Sequence, residues 1–309
     1  MTTTAPRRVA WHALGTILPE GTTSAEEALI LSGLAGWNVR KRELYAANGA
    51  LVSGKYATVR DTPDGGEEVL GVVGDRFEII QNEAHIGLLD TFADEVGATF
   101  DSAGTTTGGA ETFISMKLPS YFAVGGEDAH DMYVTALNSH VGSRSFTLLV
   151  TPVRLICTNM QSAALGSRSN VRRVRHTSGA PTAVAQEARR LADDTFAYIE
   201  DFLGVAGRLA NTPMMVGEFE ELVRDAFGTA SKAPHVMARA DNKVETLVRL
   251  FVEAETQNAI RNTAWAAYNA FSEYQDHFAE TRGDDPARAR ALSSVLAPSL
   301  KAKAFKLVC

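Results

Sequence analysis

Cysteine is nearly absent from this chain. Cys157 and Cys309 are the two in 309 residues, too few for a disulfide framework or a four-cysteine metal site. A reducing, cytoplasmic setting is the resulting expectation. Cys157 sits in the apolar run LLVTPVRLICTN and reads as a small core residue rather than a nucleophile. Long apolar runs are missing too: none approaches the ~20 residues that a transmembrane helix needs. The opening MTTTAPRRVAWHALG carries two arginines with no apolar stretch behind them, so it does not read as a secretory signal. The third scarcity is local. No Asp or Glu occurs between Asp131 and Glu187, although the chain as a whole carries a net charge of -7.

That acid-free window holds six arginines: Arg144, Arg154, Arg168, Arg172, Arg173 and Arg175. Positive charge concentrated on an otherwise negative protein marks a candidate site for a polyanion. The competing reading is that these guanidinium groups pair with acids elsewhere in the fold or solvate a loop. At 45% hydrophobic and 22% charged residues, the chain has the composition of a globular protein with ample material for a core.

In chain order, Thr23 or Ser24 caps a helix over SAEEALILSGLAG, with Glu26 and Glu27 in its first turn. Gly33 and Gly36 stop it. Residues 37–46 read as a strand, and KYATVRD alternates before the turn-forming run DTPDGG. VLGVVG is the next strand, and Asn82 starts a helix with apolar positions at Ile86, Leu89, Phe92 and Val96. Two hairpins follow: ATFDSAG with ETFISMKL around Gly108-Gly109, and DMYVTALNSH with SFTLLVTPVRLI around Val141-Gly142-Ser143. GSRSNVRRVRH reads as a flexible loop or hairpin. From Ala183 the pattern turns helical, broken at Thr212-Pro213 and Ala233-Pro234. The tail, with Lys301, Lys303 and Lys306, suggests at most a short helix after Pro286. The expected class is α+β: a mostly antiparallel sheet with a β-β-β-α core in residues 1–180, then a helical region in residues 181–309.

Seven stretches in order, GWNVRKRELYA, YATVRD, VLGVVGDRFEIIQN, SAGTTTGGAETFISMKLP, NSHVGSRSF, TPVRLICTNM and TAWAAYNAFSEYQDH, resemble a phage and plasmid protein family known as domain of unknown function 932. The resemblance runs from about residue 36 to about residue 277, and it brings no established reaction with it. The N-terminal order of elements is also similar to the β-β-β-α core of single-strand annealing recombination proteins. Those proteins form rings or filaments and hold single-stranded DNA in a basic groove. The likeness is one of topology, and it implies a homo-oligomer that binds single-stranded DNA without metal or other cofactor. The acidic overall charge departs from that pattern.

Candidate contacts for such a strand are Lys55, Arg60, Arg76, His140, Arg144, Arg154, Arg168, Arg172, Arg173, Arg175 and His176. Arginine keeps its charge and presents a fork of donors to phosphate oxygens. Tyr56 and Phe77 offer stacking platforms, although an aromatic at strand spacing is more often core, and Lys55 and Arg76 read first as solvated surface charges. An enzyme finds less support. His140 lies beside Ser139 and near Ser143, but neighbours on a strand point to opposite faces, and neither a GxSxG nor an HExxH sequence occurs. Glu273, Asp276 and His277 fall on one helical face and suggest a metal-dependent nucleic-acid enzyme as one alternative. A solvated or ion-paired helix face competes with that reading. An oligomeric phage assembly protein without enzymatic activity is the other alternative.

Overall fold

The computed structural model describes residues 14–106, 108–126, 128–154, 171–227, 234–281, 285–286, 289–290 and 299–309. Its chain opens with β1 (Thr16–Ile17) and α1 (Ala25–Leu31). Ser24 caps α1 by accepting from the Glu27 N–H, and Asp90 of a later helix accepts from the Ala25 N–H at 2.7 Å. Then come β2 (Arg40–Tyr45), β3 (Leu51–Asp61) and β4 (Glu67–Gly74), an antiparallel sheet of three strands in the order β2-β3-β4. β2 begins three residues after Trp37 because Asn38 takes a left-handed conformation, φ 45°, and its side chain donates to Asp61 at 3.1 Å. A 3-10 turn (Asn82–His85) leads into α2 (Ile86–Val96). The β-β-β-α order read from the sequence is therefore present.

The second sheet has six strands in the order β1-β5-β6-β7-β8-β9, formed by β5 (Thr99–Thr105), β6 (Glu111–Val124), β7 (Asp128–Ser139), β8 (Phe146–Arg154) and β9 (Val171–Val174). Every pairing is antiparallel. The segment expected as a loop or hairpin at VRRV is instead β9, which extends the sheet by pairing Phe146 with Val174 and Leu149 with Val171. Valines at both ends of a four-residue run suit a half-buried edge. Residues 155–170, with Cys157 and Arg168, lie outside the described residues.

One face of this sheet, carrying Ile114, Met116, Val134, Ala136, Phe146 and Leu148, packs against α1, α2 and the first half of α3. α3 (Ala180–Ala210) has 31 residues, roughly 46 Å at ~1.5 Å per residue. Ala188, Leu191 and Tyr198 belong to the sheet's core, while Phe202, Ala206 and Leu209 belong to a second, helical core. One helix thus runs through both.

The segment 78–83, extended as far as Gln81 and then entering the 3-10 turn, joins the two sheets. Glu78 N–H donates to His176 C=O at 2.9 Å, and Asn138 Nδ2 donates to Ile80 C=O at 2.8 Å. Gln81 holds Val39 by both backbone groups: it accepts from the N–H at 2.9 Å and donates to the C=O at 2.6 Å. Asn82 donates to Leu34 C=O at 2.9 Å and accepts from Thr112 Oγ1 at 3.2 Å and His140 Nε2 at 3.1 Å. Glu83 accepts from Gly36 N–H at 2.7 Å. The contact between sheets is close enough to select glycine. A Cβ on Gly71 of β4 would lie 2.4 Å from Val141 Cγ1, and one on Gly142, at φ +69°, would meet the Phe77 ring at 3.4 Å.

The helical half comprises α4 (Val216–Phe227), α5 (Pro234–Glu253), α6 (Ala264–Glu273) and α7 (Ser299–Val308). Every residue of α6 is buried, including the expected stripe of Trp265, Tyr268 and Phe271. Trp265 Nε1 donates to Asp128 Oδ2 of β7 at 2.8 Å, which ties this helix to the sheet. After Glu273 the helix widens into a π turn, Tyr274–Phe278, and the shared face expected for Glu273, Asp276 and His277 is lost. Glu273 accepts from Thr256 at 2.6 Å and Gln257 at 3.2 Å. Asp276 pairs with Lys301 of α7 at 2.7 Å, with both side chains fully buried, and His277 is exposed. Among the described residues no group of three His, Cys, Asp or Glu is placed to hold a metal ion.

A buried ion pair leaves an uncompensated charge when one partner is removed, at a cost of about 3–5 kcal/mol, whereas replacing both with apolar groups costs far less. Asp276→Ala is therefore expected to lower stability in urea by about that amount, and Asp276→Leu combined with Lys301→Met by markedly less. Equal losses in the single and double variants would show that the pair does not fasten α7.

Candidate nucleic-acid interface

The junction between the two sheets also organises the basic residues. Phe77, just after β4, stacks on His176, just after β9, with ring centroids 4.7 Å apart and planes at 21°. Arg76 and Arg175, the sequence neighbours of those two rings, are thereby brought to one place. Both are exposed, as are Lys55 on β3 and Arg173 on β9. Lys55 pairs in register with Gly74, two residues before Arg76. Arg173 lies on the face of β9 opposite to Arg172 and Val174, by the alternation of a strand. Among the described residues, none of these four cations makes an ion pair. Asp75 and Glu78 are exposed beside them.

The other candidates have structural partners or lie inside. Arg172 points to α3 and pairs with Glu187 at 3.5 Å and with Asp194. Arg144 donates from Nε to Glu111 Oε1 at 3.0 Å. The same carboxylate oxygen accepts from Ser143 at 2.5 Å, and Ser143 bonds Ser139 at 2.9 Å. Arg60 pairs with Glu68 at 2.6 Å and lies 4.0 Å over the Trp37 ring. Arg154 ends β8 opposite His130, and its side chain is outside the described residues, as is Arg168. His140 is fully buried and His176 is 8% exposed, so neither presents its ring to a ligand at the surface. The acid-free window thus divides. Acids remote in sequence take Arg144 and Arg172, and Arg173 and Arg175 stay open.

His140 shows the physics of the junction. Asn82 Nδ2 is committed to a carbonyl, so its oxygen faces the imidazole and His140 donates from Nε2. His176 donates from Nδ1 to the Glu78 carbonyl. No hydrogen-bond partner among the described residues reaches the remaining nitrogens, His140 Nδ1 and His176 Nε2. Burial, with His176 and Arg60 nearby, pushes the His140 pKa down to about 4. Burial also lowers that of His176. Both rings are therefore neutral at pH 7. Ser139 and His140 do turn to opposite sides, and the Ser139–Ser143–Glu111 chain does not include the imidazole.

In the sequence Asn82 reads only as the start of a helix, and Gln81, Glu83, Asp128 and His130 do not stand out. The signal was the polar run QNE directly after the apolar Ile79-Ile80, where three consecutive side chains are spent on backbone and core partners. His130 is fully buried, stacked on Phe122 at 5.4 Å, and donates from Nδ1 to Asp128 C=O at 2.8 Å. It joins the sheet to Trp265 and has no part in the surface row.

The sequence model of the family described as Domain of unknown function (DUF932) matches residues 69–296. The chain belongs to that family. The DUF932 match opens in β4 and runs through the 78–83 segment, Arg76, Arg173 and Arg175 but not Lys55, and α3 to α6. The stretches GWNVRKRELYA and YATVRD, with β2 and all of β3, precede it. No curated protein and no solved structure matches the chain. Among the described residues no helix is long and apolar enough to cross a membrane.

The His140 environment generates a pH dependence. A histidine whose pKa falls from 6.5 in the unfolded chain to about 4 in the fold favours folding fully above pH 6.5. That contribution, about 3 kcal/mol, is lost as the pH drops and is gone below about 4. Between pH 7.5 and pH 5 the protein is expected to lose about 2 kcal/mol from this group alone, read by urea denaturation. In His140→Gln, which keeps a donor for Asn82, the loss should shrink by that amount. An unchanged pH dependence in the variant would remove His140 as its source.

Proposed function

We propose that this DUF932 protein binds single-stranded DNA, as an annealing or recombination-type protein that works as a homo-oligomer without metal or other cofactor. The observation that carries the reading is the row of exposed cations that make no ion pair among the described residues, Lys55, Arg76, Arg175 and Arg173. It runs from the three-stranded sheet across the Phe77–His176 junction to the edge strand β9. Phosphates need cations that are not already neutralised, and ion pairing elsewhere has left this set. The β-β-β-α order of β2, β3, β4 and α2 supports the same reading by analogy of topology. Strand pairing draws its energy from the bases, so the protein's part is to hold and space the backbone. Arg60, Arg144 and Arg172 fix the surface that carries the row, and His140 and His176 set its floor.

Fluorescence anisotropy of the intact protein with a labelled single strand, across a salt series, tests this. The expected result is binding that weakens steeply with salt. Replacing Arg173 and Arg175 together with Ala should flatten the slope of log K against log salt by about 1.4, at roughly 0.7 per phosphate contact on a single strand. Arg172→Ala should instead lower the melting temperature, with little change in the slope. No binding at low salt by folded protein would overturn the proposal.

A further inference from the structure

A second site lies in the helical half, away from the acid-free window. A cleft of about 170 Å³ opens between α5 and the π turn that ends α6. Its α5 wall presents Asn242, Lys243, Thr246 and Arg249, and the facing wall presents Tyr274, Phe278 and Glu280. Asn242, Thr246 and Arg249 stand at i, i+4 and i+7, a single helical face. Lys243 and Arg249 are separated by roughly 9 Å along the axis at ~1.5 Å per residue. Among the described residues neither cation is in an ion pair, although Arg224 on the neighbouring helix pairs with both Glu220 and Asp241. Lys243 Nζ lies 4.9 Å from the centre of the Phe227 ring, a cation–π contact that leaves its donors to a ligand.

The opposite wall is aromatic because of the π turn. Ala279 N–H donates to Tyr274 C=O at 2.8 Å, five residues back, and this wider turn separates Tyr274 from Phe278. Tyr274 stays buried, while Phe278 is 43% exposed and borders the cleft. A π turn inserted at the end of an α-helix is a feature that often accompanies functional sites. The volume compares with the roughly 150 Å³ of a cavity that holds a benzene ring, so there is room for one planar ring. Two open cations call for an anion, an exposed ring for a stacking partner, and the Glu280 carboxylate for a donor.

We infer that this cleft binds a nucleotide, with phosphate at Lys243 and Arg249, the base against Phe278, and a hydroxyl or amino group donating to Glu280. The chemistry is the same for a free mononucleotide and for one nucleotide of a strand. It stands on different residues from the β9 row and does not need that row to bind DNA.

Isothermal titration calorimetry of the full chain at low salt with AMP, adenosine and inorganic phosphate tests the free ligand. Anisotropy with a labelled single strand tests the other source. AMP should bind more tightly than adenosine or phosphate alone. Lys243→Gln with Arg249→Gln should weaken it about tenfold, in keeping with loss of two charge-assisted contacts, and Phe278→Ala several-fold. Circular dichroism should be unchanged, since Arg249 and Phe278 are exposed and the Gln variants keep the stems. If AMP does not bind but the strand does, and the same substitutions weaken the strand, the site takes a nucleotide within a strand. If AMP does not bind and strand affinity is the same in all variants, or no strand binds either, the cleft is not a nucleotide site. The Arg173 and Arg175 result decides the β9 row separately.

Discussion

The hydrogen bonds made by Gln81, Asn82 and Glu83 are the constraint on which the rest of the structure depends. Three consecutive side chains reach the start of β2, the loop after α1, β6 and the end of β7. Asn82 is 1% exposed and has both ends of its amide occupied. A buried polar group left without a partner costs about 1–3 kcal/mol, and loss of this one amide would strand Leu34 C=O, the Thr112 hydroxyl and His140 Nε2–H together. Glycine at 71 and 142 lets the backbones approach closely enough for this set of bonds to form.

The surface charge follows from that arrangement. With the sheets locked, Arg60 is held between Glu68 and the Trp37 ring, and Arg144 is drawn back to Glu111. Across the large sheet, Arg172 turns to the acids of α3. These three contribute to the scaffold. The cations that remain are Arg173, whose position on β9 turns it away from an acid, and those beyond the paired part of a strand, Arg76 and Arg175. A charge count along the sequence does not separate the two sets. The parity of β9 does.

How far the sequence could be read depends on how local the determining interaction is. The three strands and the helix after Asn82, both hairpins, and the buried stripe of α6 rest on periodicity and turn residues within a few positions, and all are present. β9 was missed because four residues with two arginines at the centre carry little strand signal on their own. Its existence depends on an open edge at β8. The face assumed for Glu273, Asp276 and His277 failed because a π turn is invisible to 3.6-residue spacing, and because Lys301, 25 residues further on, takes Asp276. The ion pairs of Arg144 and Arg172 are out of reach of the sequence for a similar reason: Glu111 and Asp194 lie 33 and 22 residues away from them. The neutral state of His140 also had no local cause in the sequence, since burial by Trp37, Asn82 and the approach of the small sheet produces it.

The net charge of -7 is the strongest objection to a polyanion ligand, and its weight can be judged. At physiological ionic strength an exposed charge is screened beyond about 8 Å, so acids on distant helices contribute little at β9. What a phosphate meets is the balance within that distance. Across the junction, exposed Asp75 and Glu78 stand beside Lys55, Arg76, Arg173 and Arg175, a local excess of cations on an acidic molecule. On the proposed reading, global charge would slow the long-range approach of a strand at low salt, whereas the local row would govern the bound state. An acidic protein with a confined basic row would discriminate against indiscriminate coating of nucleic acid, because only a backbone seated along the row gains enough contacts to offset repulsion from the rest.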